Sequence, residues 1–243
     1  MAVFALTNVG ILIDSLALTG FANELSLEAT ADEQDYTTFA SGGWRTKKPG
    51  LATFMADVKG FQDYAVTGVD PTFPVSAFGG FNTITVAPTG GAAVADPCFI
   101  GRGLLNQYTP LTGAVGDPAN FDFGWTGDAQ LVRAQMLHPT AARTATGNGT
   151  TTTFTAPTAS QTLYASFHVL AVSGAGSIVF TVQTDDNSGM TTPTTRITSS
   201  SFTAVGGGIG SLAGSLAGET HIRVQWTITG FTSVTFAVAA GVL

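Results

Sequence analysis

The chain has 243 residues, enough for one large all-β domain or two ordinary ones. Only 10% of them are charged, against a typical ~25%, which suits a surface that largely becomes interface, where unpaired charge is costly. The net charge of −7 belongs entirely to residues 1–138, which hold six Lys/Arg against thirteen Asp/Glu, whereas residues 139–243 hold three of each; an acidic first half argues against simple nucleic-acid binding, which needs cations to neutralise phosphate.

Taken in order, the N-terminal "MAVFALTNVGILIDSLALTG" is apolar but has no basic start and is interrupted by Asn8 and Asp14, so it does not read as a signal peptide. No run of about 20 apolar residues follows anywhere, so no membrane partner is expected. "ANELSLEATA" at 22–31 alternates: Leu25, Leu27 and Ala29 face one way, and Glu24, Ser26 and Glu28 the other. That pattern predicts a half-buried strand. A Gly-Gly break and Trp44 come next, with Arg45, Lys47 and Lys48 close together, three of the nine cations of the chain. "LATFMADVKGF" at 51–61 fits a strand or a short helix. Strands are expected at 82–87, 98–105 and 120–125, and a closing strand at 129–137.

Residues 139–160, rich in Thr, Pro, Gly and Asn, read as a linker or extended arm. Beyond it, segments rich in Val, Ile, Thr and aromatics predict strands at 162–172, 176–184, 195–202, 221–230 and 231–241. "DDNSG" at 185–189 is a turn, "VGGGIGSLAGSLAG" at 205–218 a glycine-rich loop, and "ITGFTS" at 228–233 fits a tight hairpin between the last two strands. The expected fold is all-β, with two β-sandwich or β-barrel-like domains at 1–138 and 161–243 joined by 139–160.

Chemistry is sparse. His138, His168 and His221 form no ligand pair; His168 lies inside an apolar strand and reads as a hydrogen-bonded core histidine, while His138, before Pro139, is expected to be exposed. Cys98 is the single cysteine, so no intrachain disulfide or cysteine metal cluster exists, and it reads as an inert core thiol. Asp32, Glu33 and Asp35, and "TDDNSG" at 184–189, lack calcium-loop spacing and read as solvated turns. "GGGIG" lacks the Lys-Ser/Thr of a phosphate cradle, and "GSLAGSLAG" lacks a nucleophile-elbow context. "NGT" at 148–150 is taken as a chance glycosylation match. No catalytic residue, cofactor or metal is expected, and no enzyme. Trp125 and Trp226 alternate with apolar neighbours and read as core, leaving Trp44 as the one loop tryptophan.

The order of an alternating strand, an acidic step, "TTFASGGWRTKKPGL", a second strand and "GFQDYAV" resembles the tail tube proteins of long-tailed bacteriophages, particularly those of actinobacterial hosts. The later "LTGAVGDPANFDFGW" is similar to that family's Gly-x-Val-Gly-Asp segment. The resemblance spans roughly residues 5–137. It implies a tail-tube-like first domain and a structural virion protein that self-assembles into stacked rings. Genomic DNA would pass through the lumen without specific binding, and other tail proteins would be partners. The virion tail is the implied location, after assembly in the host cytoplasm. The second half resembles a β-sandwich that such virion proteins carry, and its extra length leaves six copies with an outer domain or three copies with two tube-like domains each. An acidic lumen lining fits the acidic first half. Trp44, Arg45, Lys47 and Lys48 are then expected to form a subunit-contact loop, with Trp44 as apolar anchor and the cations meeting acids of a neighbour, "TADEQD" among them. The alternatives are a capsid decoration or other virion-surface β-sandwich protein, and a carbohydrate-binding module using Trp44.

Overall fold

The computed structural model describes residues 5–65, 68–73 and 77–243. In the first half the strands are β1 (Gly10–Ile13), β2 (Leu16–Ala17), β3 (Ala22–Asp35), β4 (Lys47–Phe61), β5 (Phe81–Ala87), β6 (Pro97–Thr112), β7 (Asn120–Gly127) and β8 (Val132–Arg143). One helical turn, α1 (Val69–Thr72), lies between β4 and β5. In the second half they are β9 (Gly147–Asn148), β10 (Thr152–Thr153), β11 (Thr162–Ser173), β12 (Ser177–Asp185), β13 (Thr194–Thr198), β14 (Gly206–Ala213), β15 (His221–Thr229) and β16 (Ser233–Val242). The protein is all-β, as composition and periodicity predict. Residues 51–61 resolve as strand, because Phe54, Ala56, Val58 and Gly60 alternate into the core.

Eleven strands form one sheet in the order β14-β11-β16-β8-β6-β5-β1-β2, with a branch in which β6 also pairs β7, β7 pairs β4, and β4 pairs β3. A second sheet runs β10-β15-β12-β13, with β9 also on β15. The first-half core lies behind the branch: Phe54, Phe121, Phe123 and Trp125 pack against Ile13, Leu18, Ile84 and Leu105. The second-half core lies between the two sheets, where Phe167 and Phe236 meet Phe180 and Trp226.

The expected break at 138 falls inside β8. That strand pairs β6 through residues 132–135 and β16 through residues 134–143, so the two halves share one sheet. Pro139 misled the sequence reading. It has no N–H to donate, and the β16–β8 register shifts beside it, so the strand tolerates it at an irregularity. Residues 139–143 complete β8, and 147–148 and 152–153 pair with β15, so 139–160 is tied to both sheets at these points and is not a free arm. His138 is consequently buried, not exposed. Its ring stacks on Phe236 at 4.3 Å, and its Nε2 accepts a hydrogen bond from Arg143 Nε at 3.0 Å.

Two further expectations are overturned. The glycine-rich stretch is not a loop: residues 206–213 form β14, in unbroken register with β11. Glycine serves close approach here, since a Cβ at Gly207 would lie 2.6 Å from Asp14 Cα and one at Gly210 would lie 2.6 Å from Ile197 Cγ2. Nor do β15 and β16 form a hairpin. Gly230, at φ 81°, turns the chain from one sheet into the other, so each strand finds partners elsewhere.

The seam between the halves is part apolar and part polar. Leu12, Cys98, Ile100, Val132 and Met136 meet Ala237 and Ala239. Burial pushes the Cys98 thiol up to about 12, as befits an inert core residue. His168 is a buried histidine with both nitrogens engaged: Nδ1 donates to the Asp14 carbonyl at 2.9 Å, so Nε2 accepts from the Thr85 hydroxyl at 2.8 Å. Thr85 also lies 2.9 Å from Ser166 Oγ. Sequence reading of His168 as a core histidine agrees with this.

Candidate functional site

The branch β3-β4-β7-β6 has one face on the core and one in solvent. Its register places Glu24, Lys59, Asp122 and Thr109 in one row across the four strands, and Ser26, Asp57, Gly124 and Gln107 in the next. Glu28 and Met55 follow, paired with Thr126. Residues directly opposite in a ladder share a face, so Glu24, Glu28, Asp57 and Asp122 stand together with a single cation. That cation, Lys59, bonds Glu24 at 2.9 Å, and Gln107 Nε2 donates to Asp122 at 3.3 Å. The apolar residues within these rows are Met55 and, opposite Thr126 at the end of the third row, Leu104, and no strand among the described residues pairs across them. The sequence alternation had already put Glu24, Ser26 and Glu28 on one side; Asp57 and Asp122 join them only through strand pairing.

From this sheet β3 and β4 run on as a two-stranded hairpin. The last β4 residue paired to β7 is Met55. The eight residues 47–54 carry the ribbon roughly 25 Å further at ~3.3 Å per residue. Asp32, Glu33 and Asp35 lie on this ribbon as strand residues, not in a turn. Its tip is built by its own hydrogen bonds. Asp35 Oδ1 accepts from the Thr37 hydroxyl and Thr37 N–H, and these bonds hold its carboxyl below the usual range. The turn Phe39–Ser41 is closed by Thr38 N–H donating to Ser41 Oγ at 3.1 Å. Gly42 and Gly43 follow at φ 63° and 83°, the left-handed conformations that explain the glycine pair. Trp44 is then delivered to the outside, 82% exposed, and Phe39 beside it is fully exposed.

The four residues expected to form a contact loop are all at or beside this tip, in different states. Lys47, opposite Asp35 in the ladder, reaches diagonally across the ribbon of the same chain to pair with Glu33, and that carboxylate raises its pKa. Lys48 lies over the Tyr36 ring at 4.6 Å. Arg45 makes no ion pair or hydrogen bond among the described residues. Part of "TADEQD" is therefore engaged within its own chain. Trp125 and Trp226 are buried, donating through Nε1 to Asn82 Oδ1 and to the Ala145 carbonyl, each at 2.9 Å.

Among the described residues no group of three or more His, Cys, Asp or Glu is placed to hold a metal ion, and no helix is long and apolar enough to cross a membrane. Two clefts flank the seam: one of about 510 Å³ beside Arg133 and Phe154, and one of about 310 Å³ lined mainly by small and apolar residues. Neither gathers the titratable groups that chemistry would need.

No family model matches the chain, and no curated protein matches it. Among solved structures it is similar to a chain of the virion of a native gene transfer agent particle, with 18% identity and a TM-score of 0.42 over 51% of this chain and 93% of that one. It is also similar to a chain of the tail of an empty gene transfer agent particle, with 15% identity and a TM-score of 0.38 over 46% and 80%. The SPP1 Dit protein, described as a hub adsorption apparatus, aligns over 97% and 99% at 12% identity and a TM-score of 0.35. Likeness at these levels assigns neither family nor function.

Proposed function

We propose that this is a structural protein of a viral tail, whose copies join head to tail into rings of six or three that stack into a tube. The observation that carries the reading is the uncovered acidic face of the branch. A sheet face holding Glu24, Glu28, Asp57 and Asp122 against Lys59 alone repels phosphate. As the lining of a lumen it lets genomic DNA slide past without binding. Both edges of the branch are open to sheet continuation. β3 pairs only β4, and residues 106–112 of β6 pair only β7 among the described strands. A heterologous contact between two different edges closes into a ring, and closure removes exposed edges. The hairpin, held out beyond the sheet, is the stacking element, and other tail proteins would meet the ends of such a tube. The chain divides into a first domain at 1–138 and a second at 161–243 along the shared strand β8. The virion tail is its location, after assembly in the host cytoplasm.

Electron microscopy of the purified protein tests this. Rings or tubes are expected at high concentration; a chain that stays monomeric, alone and with a tail-end nucleus, would end the proposal. A second experiment addresses the lining. Replacing Glu24, Glu28, Asp57 and Asp122 by their amides leaves ring formation intact but makes tubes retain DNA at low salt. Unaltered DNA retention would remove the lumen assignment.

A further inference from the structure

The two ends of the branch differ in chemistry. At one end is the hairpin tip, with Trp44, Phe39 and the uncompensated Arg45. At the other, β4 finishes at Phe61 beside the start of β7 and the end of β6, where Gln62 N–H donates to the Ala119 carbonyl at 2.8 Å. β4 alone separates the ends by about 45 Å at its ~3.3 Å rise. This far end exposes Tyr64, Leu111 and Val115, respectively 54%, 63% and fully accessible. It carries Asp63, Asp70 and Asp117, none of which has an ion-pair partner among the described residues. Among the described residues the hydrogen bonds to their carboxylates come from neutral groups: Ala65 N–H, the Tyr108 hydroxyl and Ala114 N–H. The sequence has no Lys or Arg from 60 to 101 or from 103 to 132, so the segments that carry these aspartates supply no cation themselves.

We propose that this far end is the seat for the hairpin tip of a second copy in the adjacent ring: Trp44 packs on Tyr64, Leu111 and Val115, and Arg45 faces the aspartates. The inference rests on the tube reading and names the surface its hairpin contacts. An apolar anchor with a cation beside it on one end, and an apolar patch with unpaired carboxylates on the other, are complementary, and both are left open within one chain. Charge placement also excludes the other pairings, since tip on tip opposes Arg45 to Arg45 and seat on seat opposes aspartates to aspartates. Tip and seat are different surfaces, so the contact is heterologous and propagates without limit along an axis.

The test uses two full-length double variants. R45E/W44S has a dead tip and a live seat; V115S/D117N has a live tip and a dead seat, with no cation that could pair with the new Glu at position 45. All four positions are exposed, and melting curves check folding. Each variant alone is expected to stop at single rings where the wild type forms long stacks. Mixing the two sets of preformed rings is expected to give stacks of two and no longer, because only one tip–seat contact is available. Long stacks from either variant alone, or no pairs from the mixture, overturn the proposed contact. Wild-type protein that forms neither rings nor stacks overturns the tube reading instead.

Discussion

Acid should weaken the junction between the two halves through His168, and the effect can be worked out. The ring is buried and neutral, with Nδ1 donating to the Asp14 carbonyl and Nε2 accepting from Thr85. Burial lowers its pKa from 6.5 to about 4. The unfolded chain therefore binds a proton that the folded chain refuses between these two values. Stability from this residue is fully present above 6.5 and falls as pH drops toward about 4. At 1.36 kcal/mol per unit, the loss is about 2 kcal/mol near pH 5 and about 3 kcal/mol at its limit. His138, lowered to about 4 first by burial and then by Arg143, acts with the same sign. The assay is urea unfolding of dilute, unassembled protein at a series of pH values, comparing the wild type with His168→Asn. The variant is less stable at neutral pH but has a shallower decline on acidification, by roughly the 2 kcal/mol above. An identical slope in both proteins would falsify the assignment of this proton uptake to His168.

Other expectations follow from the same geometry. Lys47→Glu with Lys48→Glu abolishes the pair with Glu33 and the Tyr36 contact on an exposed ribbon, so melting stays near wild type while assembly falls; unchanged tube yield in micrographs would remove Lys47 and Lys48 from the interface. Gly207→Ala forces a Cβ against Asp14 Cα at 2.6 Å and is expected to cost about 1–3 kcal/mol in denaturant midpoint analysis; a neutral effect would mean that β14 is not seated there. Trp125→Phe leaves Asn82 Oδ1 without its indole donor inside the core, a loss of about 1–3 kcal/mol by the same measurement.

Much of this protein is written locally in its residues. The alternation in 22–31 specified β3 and the side that carries Glu24, Ser26 and Glu28. Apolar runs specified the buried strands, and the isolation of Trp44 among polar and glycine neighbours marked it as exposed. These are near-neighbour effects, in which side-chain period and turn chemistry act within a few residues. Other features depend on partners far along the chain. Asp57 and Asp122 join the acidic face only because β4 lies between β3 and β7. The glycines of 206–213 form a strand because β11 offers its edge and Asp14 and Ile197 require their lack of a side chain. His138 is buried because β8 runs through Pro139 to bind β16, where Ala141 pairs with Phe236 far along the chain. Sequence alone determined the all-β class, the apolar strands, the polar side of β3 and the exposed tip, since those follow from covalent neighbours. Only the tertiary structure decided that the two halves share one sheet, that Lys47 is held by its own chain, and which surfaces remain open, since pairing of distant strands is a free-energy choice made by the whole fold.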